Sequence, residues 1–255
     1  CFDKCPDCKA RKDSGHIRLI HYDASQAKGP CYARYQASKL WHGEQWYVQL
    51  DSHTKFEQDW DRTLLKEFTR CNDPKAIIGG YPPTAEQMVA FKKNGFKEMI
   101  HMCEPEWNAD GLLTFKAGII SSPPGGAVAA ASVPQPFVGA GLMCMPYQAL
   151  FDVPYDPDLA FLFFGEEQLY ACRAWTAGYN FYAPVVSFVT HHYTRTGKPK
   201  FWDDNKAFER CRQAAVTRVK YLLGFIPLTS VDTGFRRDID RYGMGTVRPL
   251  SAYWK

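Results

Sequence analysis

The residues best suited to chemistry in this sequence are a carboxylate and an imidazole that follow an apolar run. Trp46 to Leu50 has the aromatic and β-branched composition of a buried strand, and Asp51 and His53 come directly after it. Side chains alternate along an extended chain, so both would point to the same side. Ligands of open α/β sheets bind beyond the carboxyl ends of strands, where this pair could share one hard cation with a ligand's phosphates. An ordinary turn at the end of a strand is the alternative.

Two adjacent carboxylates, Glu166 and Glu167, follow a second apolar run that begins at Phe161. Charged side chains are rarely buried without partners, so this pair needs compensating contacts if it lies inside the protein. Earlier in the chain, Gly139 and Gly141 come just before another apolar segment. Glycine lets the backbone come close to other atoms, so we expect this segment to approach a bound ligand.

The size and charge of the chain favour a folded domain. It has 255 residues, of which 45% are apolar and 15% aromatic, as is typical of globular proteins. The formal net charge of +4 gives little support to nucleic-acid binding. No apolar run approaches the roughly 18 residues that a membrane-spanning helix needs. We therefore predict a soluble domain with no nucleic-acid or membrane partner, although the chain begins at Cys1 and a signal or anchor upstream would not be seen.

The nine cysteines are an odd number spread along the chain, which favours reduced thiols in the cytoplasm over a disulfide framework. Cys1, Cys5 and Cys8 lie close together, and with His16 as a fourth ligand they would form a zinc site. Free terminal thiols or a disulfide are the alternatives. The pattern predicts a cytoplasmic protein and leaves the chemistry of this cluster open.

A strand–helix rhythm predicts an α/β fold. The alternation from His16 to His21 indicates a strand, and a helix after Gly29-Pro30 would lead into the strand before Asp51, which completes a βαβ unit. The predicted elements after His21 are a helix over Cys31–Leu40, the strand Tyr47–Leu50, a helix over Asp59–Phe68, a strand over Ala76–Ile78 and a helix after Thr84 and Gln87, which have capping-box spacing. This order predicts a parallel sheet.

Later segments have weaker patterns. From Phe115 to Val138 the periodicity disappears and glycine and proline accumulate, so we predict a long mobile loop that either borders an acceptor or merely connects elements. Lys206–Leu223 has an apolar helical stripe that indicates core packing. The basic tail from Phe235 to Arg248 contains glycines and would either close over a diphosphate or stay on the solvated surface.

Several short motifs occur in a fixed order: Leu50-Asp51-Ser52-His53, Gly165-Glu166-Glu167, Trp175, Gly178 and His191. In order and spacing they resemble the D-S-H, G-G-E-N and G-H-x-F-R motifs of the polypeptide GalNAc-transferases. A further set is Gly29-Pro30-Cys31-Tyr32-Ala33-Arg34, Tyr81-Pro82-Pro83, Val153-Pro154-Tyr155-Asp156-Pro157 and His191-His192-Tyr193-Thr194-Arg195. With these, nearly the whole chain resembles the related polypeptide α-N-acetylglucosaminyltransferases that modify hydroxyproline on an SCF ubiquitin-ligase adaptor.

This resemblance implies a GT-A fold, which is a Rossmann-like α/β architecture. Residues 1–255 would form one catalytic domain whose first strand lies upstream of this sequence, with residues 201–255 as a C-terminal helical extension and basic tail. The implied activity is retaining, metal-dependent transfer of GlcNAc from UDP-GlcNAc to a protein hydroxyl, with hydroxyproline favoured and an SCF adaptor subunit as a candidate partner. Transfer of GlcNAc or GalNAc to threonine or serine, or an inactive carbohydrate- or protein-binding module, are the alternatives.

The resemblance also implies a metal site and a nucleotide site. Asp51, His53 and His191 would hold a divalent metal, and two imidazoles favour manganese over magnesium. His192 stands where relatives carry an apolar residue, and we expect it to be exposed. Arg34 would face the nucleotide, with a surface helix arginine as the alternative. The donor-binding set is Arg34, Asp51, Gly139, Gly141 and Glu166.

On the sugar side, the resemblance implies that Glu166 grips the donor's hydroxyls and that Glu167 occupies the following polar position in the catalytic motif. A structural salt bridge is the competing interpretation of Glu166. On the acceptor side, aromatic residues could pack on a hydroxyproline ring, and the candidates are Trp107, Phe115 and Phe137. A place in the core is the alternative for each of them.

Overall fold

A mixed β-sheet lies at the centre of the protein. The computed structural model describes residues 5–128, 131–194, 197, 200–203, 208–227, 229 and 233–255. The strands are β1 (Trp46–Leu50), β2 (Thr54–Phe56), β3 (Ala76–Gly79), β4 (Glu98–Trp107), β5 (Leu113–Ser121), β6 (Val133–Pro134), β7 (Leu142–Pro146), β8 (Asn180–Ala183) and β9 (Val189–His191). The α-helices are α1 (Pro6–Asp13), α2 (Pro30–Ser38), α3 (Trp60–Cys71), α4 (Ala85–Lys93), α5 (Ala149–Asp152), α6 (Glu166–Thr176), α7 (Phe208–Leu222), α8 (Ile239–Tyr242) and α9 (Leu250–Tyr253).

The strand pairing differs from the parallel sheet that the sequence predicted. The central sheet has the order β1–β7–β3–β8–β6, in which β3 and β8 run parallel. β7 pairs antiparallel with both β1 and β3, and β6 pairs antiparallel with β8. The predicted strand over His16–His21 is wrong, since this segment is irregular and Leu19 is 50% exposed. Alternation alone does not make a strand when no neighbouring strand takes its backbone hydrogen bonds.

Helices cover both faces of the sheet because its central strands are apolar on both sides. In β3 every residue is buried. Ile77 packs with Ala171 of α6 on one face, whereas Ile78 packs with Phe68 of α3 on the other. The helix predicted over Asp59–Phe68 forms close to its expected position as α3, whereas α6 was not predicted. The arrangement is a three-layer α/β fold.

A local sequence signal predicted the start of α4 correctly. Before α4, the Gln87 N–H donates to the Thr84 hydroxyl at 3.3 Å, and the Thr84 N–H donates to Oε1 of Gln87 at 2.8 Å. This reciprocal pair is the predicted capping box. The stripe predicted for Lys206–Leu223 packs inward from Phe208 onward, because α7 buries Val219 and Leu222 among its neighbours. Residues 206–207 of that prediction lie outside the described residues.

The loop predicted from Phe115 to Val138 is wrong in its first part. Residues up to Ser121 belong to β5, which forms a two-stranded hairpin with β4. Phe115 and Phe137 are buried and stack on each other with ring centroids 4.0 Å apart. Their rings therefore belong to the core, whereas Trp107 is 62% exposed. Residues 129–130 of the predicted loop lie outside the described residues.

The N-terminal cysteines follow the disulfide alternative. Cys5 and Cys8 are joined by a disulfide at the start of α1, so their thiolates are not both available for the predicted zinc site. Nδ1 of His16 lies 2.8 Å from the hydroxyl of Ser14, and Cys1 lies outside the described residues. The free cysteines among the described residues are Cys31, Cys71, Cys103, Cys144, Cys172 and Cys211.

The C-terminal tail packs against the body of the protein. The Arg248 guanidinium donates to the Gly178 carbonyl at 2.7 Å and to Oδ1 of Asn180 at 2.9 Å, and it lies over the Trp175 ring. Gly245 packs so closely on Ala177 that a Cβ there would lie 2.5 Å from its backbone nitrogen. These contacts fix the end of the tail against the protein, so it is not placed as a hinged segment that closes over a ligand. In the described part of the chain, no helix is long and apolar enough to cross a membrane.

Candidate active site

Two strands bring the predicted metal ligands together. β2 pairs antiparallel with β9, which places Thr54 opposite His191. Oδ2 of Asp51 lies 3.6 Å from Nε2 of His191, and the rings of His53 and His191 are 6.1 Å apart. Asp51 comes directly after β1, and His53 lies in a turn before β2, so the predicted extended conformation does not continue to His53. The chain bends because β2 must leave the central sheet to pair with β9.

These three side chains line one large cavity. Its volume is about 550 Å³, within the range of small-molecule sites. The residues around it come from the Asp51 turn, α2, the start of β5, the segment before β7, the start of α6 and β9; they include Arg34, Asp51, His53, Tyr81, Gly141, Glu166, Glu167, His191 and Tyr193. His191 is buried while His192 is exposed, which agrees with the expectation that His191 faces inward.

The donor set at the Asp51 end of the cavity suits a transition metal. One carboxylate and two imidazoles offer the hard and borderline ligands that manganese accepts, and three protein ligands leave positions open for a substrate. Among the described residues, no three His, Cys, Asp or Glu side chains have already converged to a metal-binding geometry. Asp51 and His191 are near contact, and the centroid of the His53 ring lies 6.1 Å from that of His191.

An ion pair between α2 and α6 forms the next wall of the cavity. Nη1 of Arg34 lies 2.6 Å from Oε1 of Glu166, and their side chains are only 15% and 13% exposed. Arg34 is therefore not a surface arginine. The salt bridge that competed with sugar binding as an interpretation of Glu166 exists, and both partners still line the cavity.

Glu167 has partners of a different kind. The Tyr81 hydroxyl donates to Oε2 of Glu167 at 2.7 Å, and the Ala140 N–H donates to Oε1 at 2.7 Å. Burial raises the pKa of Glu167 to about 7, and the charge of Glu166 adds to this rise. The two adjacent carboxylates thus have the separate partners that their burial requires.

Glu167→Gln should flatten the pH dependence of stability. In the wild type the pKa of Glu167 is about 7 when folded and near 4.5 when unfolded, so the folded protein binds more protons between these values. Protonation of Glu167 therefore contributes to the free energy of unfolding. This contribution is at its maximum below pH 4.5 and is lost as the pH rises through 7. Urea denaturation should show that the free energy of unfolding falls by roughly 2–3 kcal/mol more in the wild type than in the variant from pH 4.5 to 8. Parallel curves would contradict this assignment.

Sequence reasoning missed the residues that hold the segment before β7. Nε2 of Gln49 donates to the Ala140 carbonyl at 2.7 Å, and the Tyr155 hydroxyl donates to Oε1 of Gln49 at 2.6 Å. With Glu167 on the Ala140 N–H, both backbone groups of Ala140 are fixed. The sequence does contain a sign of these contacts, which is a glutamine within an apolar strand. A buried amide needs hydrogen-bond partners, so such a glutamine indicates a polar contact inside the protein.

The two glycines predicted to approach a ligand have different surroundings. Gly139 packs on the backbone of Gly80, where a Cβ would meet the carbonyl oxygen at 2.8 Å, so its small size serves packing. Gly141 lines the cavity, and its carbonyl accepts a hydrogen bond from the Asp51 N–H at 3.2 Å. Of this pair, Gly141 is the residue placed to meet a bound molecule.

Comparison with known proteins agrees with this architecture. The crystal structure of GalNAc-T7 with UDP, GalNAc and Mn²⁺ matches with a TM-score of 0.58 at 14% identity, covering 95% of this chain and 47% of that one. The chain therefore spans about half the length of that protein, and the likeness confirms the predicted GT-A fold. No curated protein matches significantly. A family model described as "Glycosyltransferase (GlcNAc)" matches residues 4–255. The chain belongs to this family of GlcNAc glycosyltransferases.

Proposed function

We propose that the protein transfers GlcNAc from UDP-GlcNAc to a hydroxyl of a protein acceptor, with retention of configuration and dependence on a divalent metal. The observation that carries this proposal is that Asp51 and His191 meet in the same cavity as the Arg34–Glu166 pair. A metal and a positive side chain would suit the diphosphate of a nucleotide sugar. The negative side chain beside them would suit the hydroxyls of the sugar.

Asp51, His53 and His191 would hold the metal, and manganese is favoured by the two imidazoles. When bound, the metal would neutralise the charge that grows on the diphosphate leaving group without any proton transfer. The crystal of GalNAc-T7 contains UDP and Mn²⁺, which supports the same donor class and metal here.

The remaining residues would bind and orient the donor. Arg34 would face the nucleotide from α2. Its ion pair with Glu166 would hold that carboxylate in place to bind the sugar hydroxyls. Glu167 would hold the adjoining wall through Tyr81 and Ala140. Retention places the acceptor oxygen and the leaving phosphate on one face of the sugar, so the phosphate itself can accept the acceptor's proton and no nucleophilic side chain is required.

The acceptor in this proposal is hydroxyproline on a protein such as an SCF ubiquitin-ligase adaptor subunit. We propose this acceptor because the motifs around Asp51, Glu166 and His191 resemble those of the enzymes that modify hydroxyproline. We place the reaction in the cytoplasm, because the six cysteines that are free in the described part of the chain suit a reducing compartment.

A donor and acceptor panel tests the proposal. We expect turnover of UDP-GlcNAc on a hydroxyproline peptide and none on the matching proline peptide, because proline offers no hydroxyl. The full-length protein is incubated with each donor, peptide and Mn²⁺, and the products are identified by mass spectrometry. Transfer to threonine peptides with hydroxyproline ignored would overturn the acceptor.

The second candidate donor is UDP-GalNAc, with threonine or serine as acceptor. It is favoured by the GalNAc in the crystal of the structurally similar GalNAc-T7. The same panel separates the two donors. A protein that binds UDP but turns over neither donor, with or without a peptide, would be an inactive binding module of this fold.

A further inference from the structure

Tyr193 stands beside a proposed metal ligand in the wall of the cavity. It lies just past the end of β9, two residues after His191, and it lines the cavity. Its ring meets the His191 ring with centroids 4.4 Å apart and an angle of 66° between the ring planes. Aromatic rings prefer such edge-to-face contacts, so the contact favours one orientation of the imidazole. In that orientation Nε2 of His191 lies 3.6 Å from Oδ2 of Asp51.

The Tyr193 ring is itself held at its far end. Its hydroxyl donates a hydrogen bond to the Pro82 carbonyl at 2.6 Å. Tyr193 is 48% exposed, so packing encloses only about half of it. A side chain with so much open space can change rotamer unless a specific contact holds it. The hydrogen bond to Pro82 therefore keeps the ring against His191.

Pro82 is a rigid point of attachment. Pro82 and Pro83 are both buried, and their rings fix the φ angle of each residue. The Pro83 carbonyl accepts a hydrogen bond from the His191 N–H at 3.0 Å. The same short segment thus holds the backbone of His191 and the side chain of Tyr193. The position of the Tyr193 ring is therefore set relative to the residue that it contacts.

We propose that Tyr193 is a positioning residue for His191 and that its hydrogen bond to Pro82 makes this possible. The inference rests on the proposed function, in which Asp51, His53 and His191 hold a divalent metal. A histidine that binds a metal needs its ring direction fixed by surrounding groups, because rotation of the side chain would move the ligating nitrogen away from the metal. Tyr193 supplies this restraint without being a ligand itself.

Two substitutions separate the ring contact from the hydrogen bond. Tyr193→Phe keeps a ring against His191 and removes only the hydroxyl, whereas Tyr193→Ala removes both. We expect the affinity for Mn²⁺ to fall about threefold to fivefold in the phenylalanine variant, which loses one neutral hydrogen bond. The affinity should fall at least about tenfold in the alanine variant, because losing the groups that orient a ligating histidine typically costs that much.

Tyr182→Phe is the matched control. The Tyr182 hydroxyl also donates one hydrogen bond, to Oδ2 of Asp73 at 3.0 Å. Tyr182 lies in β8 and packs against the core cluster that contains Phe68, away from the residues that line the cavity. Its phenylalanine variant should bind Mn²⁺ as the wild type does. A fall in Mn²⁺ affinity as large as that of Tyr193→Phe would contradict the inference, because the loss of any tyrosine hydrogen bond would then have the same effect.

Mn²⁺ binding is measured on the full-length protein with UDP present, from the electron paramagnetic resonance signal of free Mn²⁺. Melting of the metal-free variants is followed alongside. Saturating Mn²⁺ should restore kcat of Tyr193→Phe to within about twofold of the wild type, since mass action refills a weakened site. Unchanged Mn²⁺ affinity, with a low kcat that excess Mn²⁺ does not restore, would overturn the inference and give Tyr193 a direct role with the substrate. If the alanine variant fails to fold, Tyr193→Phe decides.

The same titration separates this inference from the proposed function. Tighter Mn²⁺ binding by the wild type than by Tyr193→Phe, without sugar transfer by either protein, would support the positioning role and contradict the activity. Mn²⁺-dependent transfer with equal Mn²⁺ affinity in both proteins would contradict the positioning role and leave the activity in place. A wild-type protein that binds no Mn²⁺ would contradict both the proposed metal site and this inference.

Discussion

Asp51→Ala is expected to lower kcat/KM for GlcNAc transfer by at least roughly a hundredfold while the protein stays folded. The expected loss is large because the variant removes the carboxylate of the proposed metal site, and electrostatic stabilisation of the leaving group would depend on that site. Stability should change by less than about 0.5 kcal/mol, because the Asp51 side chain is 47% exposed and its N–H bond to Gly141 belongs to the backbone.

Steady-state kinetics and Mn²⁺-dependent UDP affinity check this result, with thermal melting as the measure of fold. The two neighbouring histidines provide a matched control. His191→Ala should resemble Asp51→Ala, whereas exposed His192→Ala should stay within about twofold of the wild type. If Asp51→Ala binds Mn²⁺ and turns over like the parent, the ligand assignment is wrong. A large loss in His192→Ala with a mild His191→Ala would move the ligand by one residue.

Glu166→Gln is expected to lower sugar transfer by roughly tenfold to a hundredfold while UDP affinity is preserved. A charged hydrogen bond is worth about 1.5–3 kcal/mol, and the proposed partners of Glu166 are sugar hydroxyls and not phosphates. Glutamine has nearly the same shape, so it tests the charge and leaves the packing in place.

Calorimetric titration with UDP and with UDP-GlcNAc distinguishes this role from a purely structural one. Sugar binding by Glu166 predicts that only the affinity for UDP-GlcNAc falls. The Arg34–Glu166 ion pair gives the opposing prediction, because removing one partner leaves the other charge poorly compensated. Unchanged turnover with a lower melting temperature would make Glu166 a structural carboxylate.

The sequence predicted those structural features around the candidate site that depend on local signals. The apolar run that ends at Leu50 forms β1, and the capping box at Thr84 starts α4 as expected. The choice of His191 over its neighbour rested on spacing, and the structure buries His191 beside Asp51. These features could be predicted because each depends on a few adjacent residues or on a fixed interval.

The features that the sequence did not predict depend on contacts between distant segments. Whether β1 pairs parallel or antiparallel is decided by β7, which lies far along the chain. The β4–β5 hairpin was hidden because Phe115 packs on Phe137, so part of a strand resembled the start of a loop. Likewise, the partner of Arg34 lies on α6, and no local pattern around Arg34 indicates Glu166.

The central claim is that the cavity around Asp51 and His191 binds a UDP-sugar through a divalent metal. The most direct measurement is the affinity of the full-length protein for UDP-GlcNAc by calorimetry, first with Mn²⁺ and then with EDTA. We predict saturable binding with Mn²⁺ that EDTA abolishes and that Asp51→Ala lacks. Equal affinity in Mn²⁺ and EDTA, unaffected by Asp51→Ala, would contradict the claim.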